Sequence, residues 1–186
     1  MLYLISGTSR SGKTIIAKKL LEEHKLPYLS LDWLMMGFND GIPEYGINHL
    51  LWPNEIAEKM WPFLQGMIEN MLFDGMDYVI EGEAMVPQLI TQLIEKYPEK
   101  ISVVFVGFTE INVDEKVAQV KKFSIGENDW LTNESDKYIK DHIGNMIEYS
   151  KMIKEGCEKF NLPYFDTSVD FLGKIELATI YLFSKI

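Results

Sequence analysis

The stretch that most constrains the fold lies near the N-terminus and reads Gly7-Thr8-Ser9-Arg10-Ser11-Gly12-Lys13-Thr14. It has the pattern G-x-x-x-x-G-K-T, follows an apolar run at residues 2–6, and precedes residues with helical apolar spacing. The two glycines let the backbone curl so that consecutive N–H groups converge on phosphate oxygens. The start of the next helix adds the positive end of its dipole. The motif therefore predicts a strand, a phosphate-binding loop and a helix in succession.

Every residue of this loop, from Gly7 to Thr14, is a candidate nucleotide contact. Lys13 is expected to place its charge at the β- and γ-phosphates, and the Thr14 hydroxyl is expected to bind Mg²⁺. Arg10 is the only arginine among 18 basic residues, so it is the single guanidinium that can lie near the phosphates. The loop predicts ATP and Mg²⁺ as cofactors, with Lys13 and Arg10 acting in catalysis.

Carboxylates follow two of the predicted strands. Asp32 comes directly after an apolar run at residues 26–31, and in open parallel sheets ligands lie beyond the carboxyl ends of the strands. Asp32 either accepts the proton of a substrate hydroxyl or caps a short helix that begins at Trp33, and both interpretations stay open. Glu81 continues a third strand directly, so we favour it over Glu83 as the carboxylate that supports Mg²⁺.

The chain alternates apolar strands with helical patterns, which predicts an α/β fold with a parallel sheet covered on both faces. Five strands are expected, at residues 2–6, 26–31, 78–80, 101–106 and 162–165. Helices are expected from residue 13, from Trp33, over 47–72, 87–97 and 112–123, from a cap at Thr132 or Asn133 to about Phe160, and over 175–183. Pro62 should kink or restart the third of these helices. The 186 residues are expected to form a single domain.

The amino-acid composition limits the kinds of binding partner and the compartment that can be expected. A net charge of −10 repels nucleic-acid backbones and anionic membranes, so neither is an expected partner. The single cysteine rules out an internal disulfide and fits a reducing compartment. No apolar run approaches membrane-spanning length, and the first one is too short for a signal peptide. We expect a cytoplasmic monomer or homodimer.

The motifs at residues 7–14, 29–33 and 79–82 together resemble those of P-loop kinases of the adenylate-kinase-like superfamily. The nearest likeness is to chloramphenicol phosphotransferase and to zeta-toxin-like and shikimate-kinase-like small-molecule kinases. The resemblance implies a three-layer fold with strand order 2-3-1-4-5, an acceptor-binding helical segment at 33–75 and a lid at 109–135. It also implies that Asp32 engages the acceptor hydroxyl and that Thr167 and Ser168 lie against the adenine.

The chain departs from that superfamily in its arginines. Lids there usually supply arginines to the transferring phosphate, and this lid offers only lysines, of which Lys121 and Lys122 are the first candidates and Lys116 the next. Within 33–75 the only lysine is Lys59 and there is no arginine, which predicts a small neutral or cationic acceptor in place of a phosphorylated one.

Three other functions remain possible on the sequence: a nucleoside monophosphate kinase, a nucleotide sensor without transfer activity, and a toxin-like kinase acting on a cell-wall sugar nucleotide. The chain lacks an N-K-x-D motif for guanine, so ATP is the expected donor.

Overall fold

The structure is a computed structural model that describes residues 1–122 and 129–184. The described residues alternate strands and helices from end to end. The strands are β1 (Leu2–Gly7), β2 (Tyr28–Ser30), β3 (Tyr78–Glu81), β4 (Ile101–Gly107) and β5 (Tyr164–Asp166). The helices are α1 (Lys13–His24), α2 (Leu31–Gly41), α3 (Pro53–Phe73), α4 (Pro87–Lys96), α5 (Val113–Lys122), α6 (Asp136–Lys159) and α7 (Phe171–Phe183), with a 3₁₀ turn at Pro43–Tyr45.

The five strands form one parallel sheet in the order β2-β3-β1-β4-β5, which confirms the predicted fold class and strand order. Strand β1 lies in the centre, paired with β3 on one side and β4 on the other. Ile5 of β1 is in register with Glu81 of β3, and Ser30 of β2 is in register with the same glutamate. The carboxyl ends of β1, β2 and β3 therefore meet at one edge, where the phosphate-binding loop begins.

Alternation along β1 divides the core between the two faces of the sheet. Leu2 and Leu4 pack into the larger cluster with buried residues of α3, α4 and α6. Tyr3 and Ile5 point the other way and pack against apolar residues of α1 and α7. Helices on both faces exclude water from the strands, and this burial makes the central edge a rigid support for the loop.

The start of α6 and the whole of α5 form a third apolar cluster beyond the end of β4. Phe108, Val117 and Val120 pack there against Leu131 and Ile139. Val117, Val120 and Leu131 lie within the predicted lid, whereas Phe108 and Ile139 lie outside it, so the described part of the lid shares its apolar core with α6.

The third helix begins later than expected and is not interrupted. It begins at Pro53 instead of residue 47, and it continues through Pro62 without a restart. Proline removes one helical hydrogen bond, but Met60, Trp61 and Leu64 are buried on either side of it. Their burial outweighs the lost bond and keeps the helix in one piece.

The cap predicted for the long helix was wrong. Helix α6 begins at Asp136, and the N-cap is Ser135, whose Oγ accepts from the Tyr138 N–H at 3.3 Å. Thr132 cannot take this role because its own N–H and hydroxyl donate to Asp129. The last helix starts at Phe171, four residues earlier than predicted, because the Asp170 carboxylate caps it.

None of the helices in the described part of the chain is long and apolar enough to cross a membrane. Residues 123–128 of the predicted lid, including Phe123, the predicted end of α5, lie outside the described residues.

Candidate active site

The phosphate-binding loop has the backbone that its glycines predict. Gly7 has φ of 131° and Gly12 has φ of 103°, a region that side chains strongly disfavour. A Cβ at Gly7 would lie 1.7 Å from the Val106 carbonyl oxygen, and one at Gly12 would lie 2.4 Å from Ile175 Cδ1. Gly12 also forms the N-cap of α1, and no side chain caps it. The first-turn N–H groups of α1 therefore face the loop, and this donor set fits a nucleotide phosphate.

Lys13 is held at the base of the loop by two groups. Its Nζ donates to the Thr8 carbonyl oxygen at 2.7 Å and lies 3.6 Å from Glu83 Oε1. The Ser11 hydroxyl donates to the same Thr8 carbonyl at 2.7 Å. The ammonium is thus fixed beside a carboxylate, and the sequence did not predict this role for Glu83.

The Thr14 hydroxyl and Glu81 lie next to each other, as expected of a shared metal site. Thr14 Oγ1 donates to Glu81 Oε1 at 3.2 Å. Thr14 is exposed to solvent, whereas Glu81 is buried. Within residues 1–122 and 129–184 no three Asp, Glu, His or Cys side chains are arranged to hold a metal ion. A hydroxyl with one carboxylate still fits Mg²⁺, which keeps several waters and takes phosphate oxygens as ligands.

Burial raises the pKa values of both glutamates at this edge. For Glu81 and Glu83 the desolvation of the carboxylate is the largest cause, and the charge of Lys13 opposes it. The nearby charge of Asp32 raises both pKa values further. Three carboxylates thus lie within electrostatic range of one another around a single lysine.

Asp32 lies in the first turn of α2 and does not cap the helix. The N-cap is Ser30, and α2 begins at Leu31, two residues earlier than predicted. The carboxylate of Asp32 is exposed to solvent. The capping alternative is therefore wrong as first stated, although a negative charge in a first turn still favours the helix dipole.

The sole arginine is engaged by a residue that the sequence did not single out. The Arg10 guanidinium makes a bidentate pair with Asp129, with Nη1 to Oδ2 at 2.8 Å and Nη2 to Oδ1 at 2.5 Å. Its Cζ lies 5.7 Å from the centroid of the Trp130 ring. The two partners are 119 residues apart, so no local spacing could have revealed them.

The three candidate lysines of the predicted lid differ in burial. Lys121 is exposed and pairs with Asp136 at 2.5 Å, and Lys122 is also exposed. Lys116 is only 2% exposed, with its Nζ 4.1 Å from the Phe108 ring centroid and 5.4 Å from that of Phe171. Burial, helped by the charge of Arg10, lowers the pKa of Lys116 to about 8. Lys116 is therefore the lid lysine within electrostatic range of the phosphate-binding loop's arginine.

The loop after β5 uses its hydroxyls within the fold. Thr167 is buried and donates from both N–H and Oγ1 to the Gly107 carbonyl, at 2.7 and 3.0 Å. Ser168 donates to Asp166 and accepts from the Glu110 N–H at 3.0 Å. These bonds tie the ends of β4 and β5 together, and both donors of Thr167 are used within the fold.

The predicted acceptor segment, 33–75, combines buried and exposed aromatic rings. Trp61 belongs to the core, whereas Trp33, directly after Asp32, is 62% exposed. The ring centroid of Phe38 lies 5.2 Å from that of Phe63, a contact that links α2 to α3. The rings thus leave an apolar surface beside the carboxylates.

No protein-family model and no curated protein sequence matches this chain. Solved structures do resemble it. A gluconokinase from Sinorhizobium meliloti 1021 is 15% identical, with 98% of this chain and 91% of that chain covered and a TM-score of 0.60. A shikimate kinase from Bacteroides thetaiotaomicron is 16% identical, with 99% and 97% covered and a TM-score of 0.57. A sugar kinase from Janibacter sp. HTCC2649 is 17% identical, with 97% and 93% covered and a TM-score of 0.55. The chain therefore shares the fold of these solved kinases, with a five-stranded parallel sheet in the predicted order 2-3-1-4-5.

Proposed function

We propose that this protein is a phosphotransferase that uses ATP and Mg²⁺ to phosphorylate a hydroxyl of a small neutral or cationic acceptor. The observation that carries the proposal is the meeting of Lys13, Thr14 and the carboxylates Asp32, Glu81 and Glu83 at one edge of the sheet. The gluconokinase, shikimate kinase and sugar kinase that share the fold support a small-molecule acceptor.

Bound Mg·ATP would supply the transferable phosphoryl group and neutralise part of its charge. The residues of the loop bind and orient it: backbone N–H groups at the start of α1 contact phosphate oxygens, and Lys13 contributes its ammonium. In this structure Glu83 contacts Lys13. On binding, Lys13 would contact both Glu83 and the phosphate oxygens, which keeps the ammonium in place. Thr14 and Glu81 would hold the metal or its waters.

On the acceptor side, Asp32 orients the attacking hydroxyl and accepts its proton. Asp32 lies in the first turn of α2, within electrostatic range of Glu81 and Glu83, and the next residue in the chain is the exposed Trp33. A carboxylate-rich edge repels an acceptor that carries its own phosphate. The same edge attracts an amine, and the exposed aromatic surface can pack against a sugar ring or a larger apolar body.

The test measures ADP release from ATP and Mg²⁺ across acceptors that include nucleosides, nucleoside monophosphates, sugar nucleotides, amino sugars, antibiotics, sugar acids and small hydroxy acids. Lys13→Ala is the inactive control, since it removes the ammonium at the loop. We expect an acceptor-stimulated rate with a neutral or cationic compound, lost in Lys13→Ala and reduced about 100-fold or more in Asp32→Asn.

Other outcomes separate the alternatives. A rate only with monophosphates would show an adenylate-type kinase, and a rate only with a sugar nucleotide would show the toxin-like activity. Binding of Mg·ATP without any stimulated rate would favour a sensor. Absence of nucleotide binding would contradict the proposal as a whole.

A further inference from the structure

One contact that the proposed function does not explain joins the phosphate-binding loop to the residues that lead into α6. Arg10 lies in the loop with φ of 61°, a left-handed conformation that is uncommon for a residue with a side chain. That backbone directs its guanidinium to Asp129, where both terminal nitrogens donate to both carboxylate oxygens. Bidentate pairs of this kind are stronger and more directional than single contacts.

Asp129 is itself rigidly held. Its side chain is fully buried, and Oδ1 also accepts from the N–H groups of Leu131 and Thr132 at 3.2 and 3.3 Å. Contact with the Arg10 guanidinium keeps the pKa of Asp129 below its usual range, so the carboxylate stays charged. The guanidinium is thus anchored to a fixed turn and not to a mobile surface side chain.

The pair with Asp129 leaves some N–H donors of Arg10 available for another acceptor. A guanidinium carries five N–H donors, and Asp129 uses one from each terminal nitrogen. Three donors remain, and the arginine side chain is 21% exposed. A second anion could therefore bind the same guanidinium without displacing Asp129.

We propose that Asp129 is a positioning residue that presets Arg10 for the phosphates of the bound nucleotide, so that one guanidinium bridges the phosphates and the turn at residues 129–132. The inference rests on the proposed function, because it assumes that the loop binds a nucleotide. It assigns the chain's single arginine a fixed partner and makes the entry to α6 respond to phosphate binding.

The test compares Asp129→Asn, Arg10→Gln and the double variant, each titrated with Mg·ADP and with a slowly hydrolysed Mg·ATP analogue by calorimetry. Asparagine keeps the oxygen that accepts from Leu131 and Thr132, removes the charge, and places an amide NH2, a donor, where Oδ2 accepts from Arg10. Lys140→Gln and Asp114→Asn form the matched control, since they disrupt an exposed ion pair between α6 and α5.

We expect each single variant to weaken nucleotide binding about tenfold, and the double variant to be no weaker than Arg10→Gln alone. Simple Coulomb repulsion predicts the opposite for Asp129→Asn, because loss of a negative charge should tighten binding of an anion. Unchanged or tighter binding in Asp129→Asn would therefore overturn the inference. The control variants should bind like wild type.

Hydrogen exchange gives an independent readout. In wild type, nucleotide should slow exchange at the N–H groups of Leu131 and Thr132, and in Arg10→Gln this added protection should be absent. If Asp129→Asn does not fold, Arg10→Lys replaces it, because lysine keeps the charge and lacks the fork. If wild type binds nucleotide and Arg10→Gln still shows the full added protection at Leu131 and Thr132, the inference is wrong but the proposed function is not. No binding in wild type would contradict the proposed function as well.

Discussion

At the residue scale, Gly7 shows how the loop depends on the absence of a side chain. Its φ is 131°, and an alanine Cβ at this position would lie only 1.7 Å from the Val106 carbonyl oxygen. Because that oxygen belongs to the backbone of β4, it cannot move aside cheaply. We expect Gly7→Ala to lower the free energy of unfolding by about 3 kcal/mol or more. Urea denaturation measures this change.

Gly144→Ala is the matched control for that substitution. Gly144 lies inside α6, and a Cβ there meets no atom within 4 Å. Alanine at this position should raise the free energy of unfolding by about 0.5–1 kcal/mol, because it reduces the entropy of the unfolded chain. If both variants lost stability equally, the cost at Gly7 would not be specific to the loop.

Glu81 should show a trade-off between stability and activity. Burial raises its pKa in the folded protein above the ordinary value of 4.5, so the native state binds a proton more readily than the unfolded state. The stability of wild type should therefore fall as pH rises from 4.5 through the raised pKa. Glutamine does not titrate, and its amide can still accept from Thr14.

We thus expect Glu81→Gln to have a Tm at pH 8 that is about 2–4 °C above wild type, with the difference vanishing towards pH 4. Acceptor phosphorylation should be lost because the metal site is incomplete. Thermal melts at several pH values provide the measurement. A Tm difference that does not vary with pH would show that Glu81 is not the titrating group.

At the element scale, α5 carries a buried cation, Lys116. Lys116 has its pKa lowered to about 8 from 10.5, so between these values the native state binds fewer protons than the unfolded state. Wild-type stability should therefore rise with pH over this window. Below pH 8 the cost of burying the ammonium is fully present.

Lys116→Met keeps the length of the side chain and removes the charge. We expect it to raise the free energy of unfolding at pH 7 by about 2–3 kcal/mol, with the gain lost between pH 8 and 10.5. Its affinity for Mg·ADP should fall severalfold, because Lys116 lies near Arg10. Lys121→Met, on the exposed face of the same helix, should change neither quantity. Equal effects of the two variants would contradict the assignment.

The elements that the sequence predicted well are those with a strong local pattern. The apolar runs of β1, β3 and β4 and the loop between β1 and α1 were clear, and strand order followed from the resemblance. Helix ends were harder, because Ser135 and Asp170 act as caps only through their side-chain geometry. Pro62 does not restart the helix, because buried residues on both sides of it keep the helix continuous.

The site was predicted only in part for a related reason. Thr14 comes shortly after β1 and Glu81 ends β3, and these two strands are neighbours in the sheet. The strand order therefore brings the two residues together, so their contact could be predicted. The pairs of Arg10 with Asp129 and of Lys13 with Glu83 depend on loop conformation, which has no period in sequence. In the sequence, the only sign of the pair between Arg10 and Asp129 was that an aspartate stands next to a tryptophan, Trp130.

At the scale of the whole molecule, charge is distributed unevenly. The net charge is −10, yet Arg10 and Lys13 lie in the same phosphate-binding loop, and Lys116 is within electrostatic range of Arg10. The nucleotide would therefore meet local cations on a protein whose general field repels it. The acceptor would approach an edge where Asp32, Glu81 and Glu83 dominate, so the sign of its charge should determine its rate.

A set of three acceptors that share one skeleton tests this expectation directly: a sugar, the same sugar with an amine, and the same sugar with a phosphate. At about 0.01 M salt we expect kcat/KM for the amine to exceed that for the neutral sugar about tenfold, and that for the phosphate to be lowest. Because the Debye length falls to about 3 Å at 1 M salt, the preference for the amine should shrink as NaCl is added, while the neutral sugar changes little. The skeleton is the one that gives the highest rate in the acceptor panel, and Lys13→Ala sets the background. A phosphorylated acceptor that reacts best, or a preference that salt does not alter, would show that the carboxylates at this edge do not select the acceptor by charge.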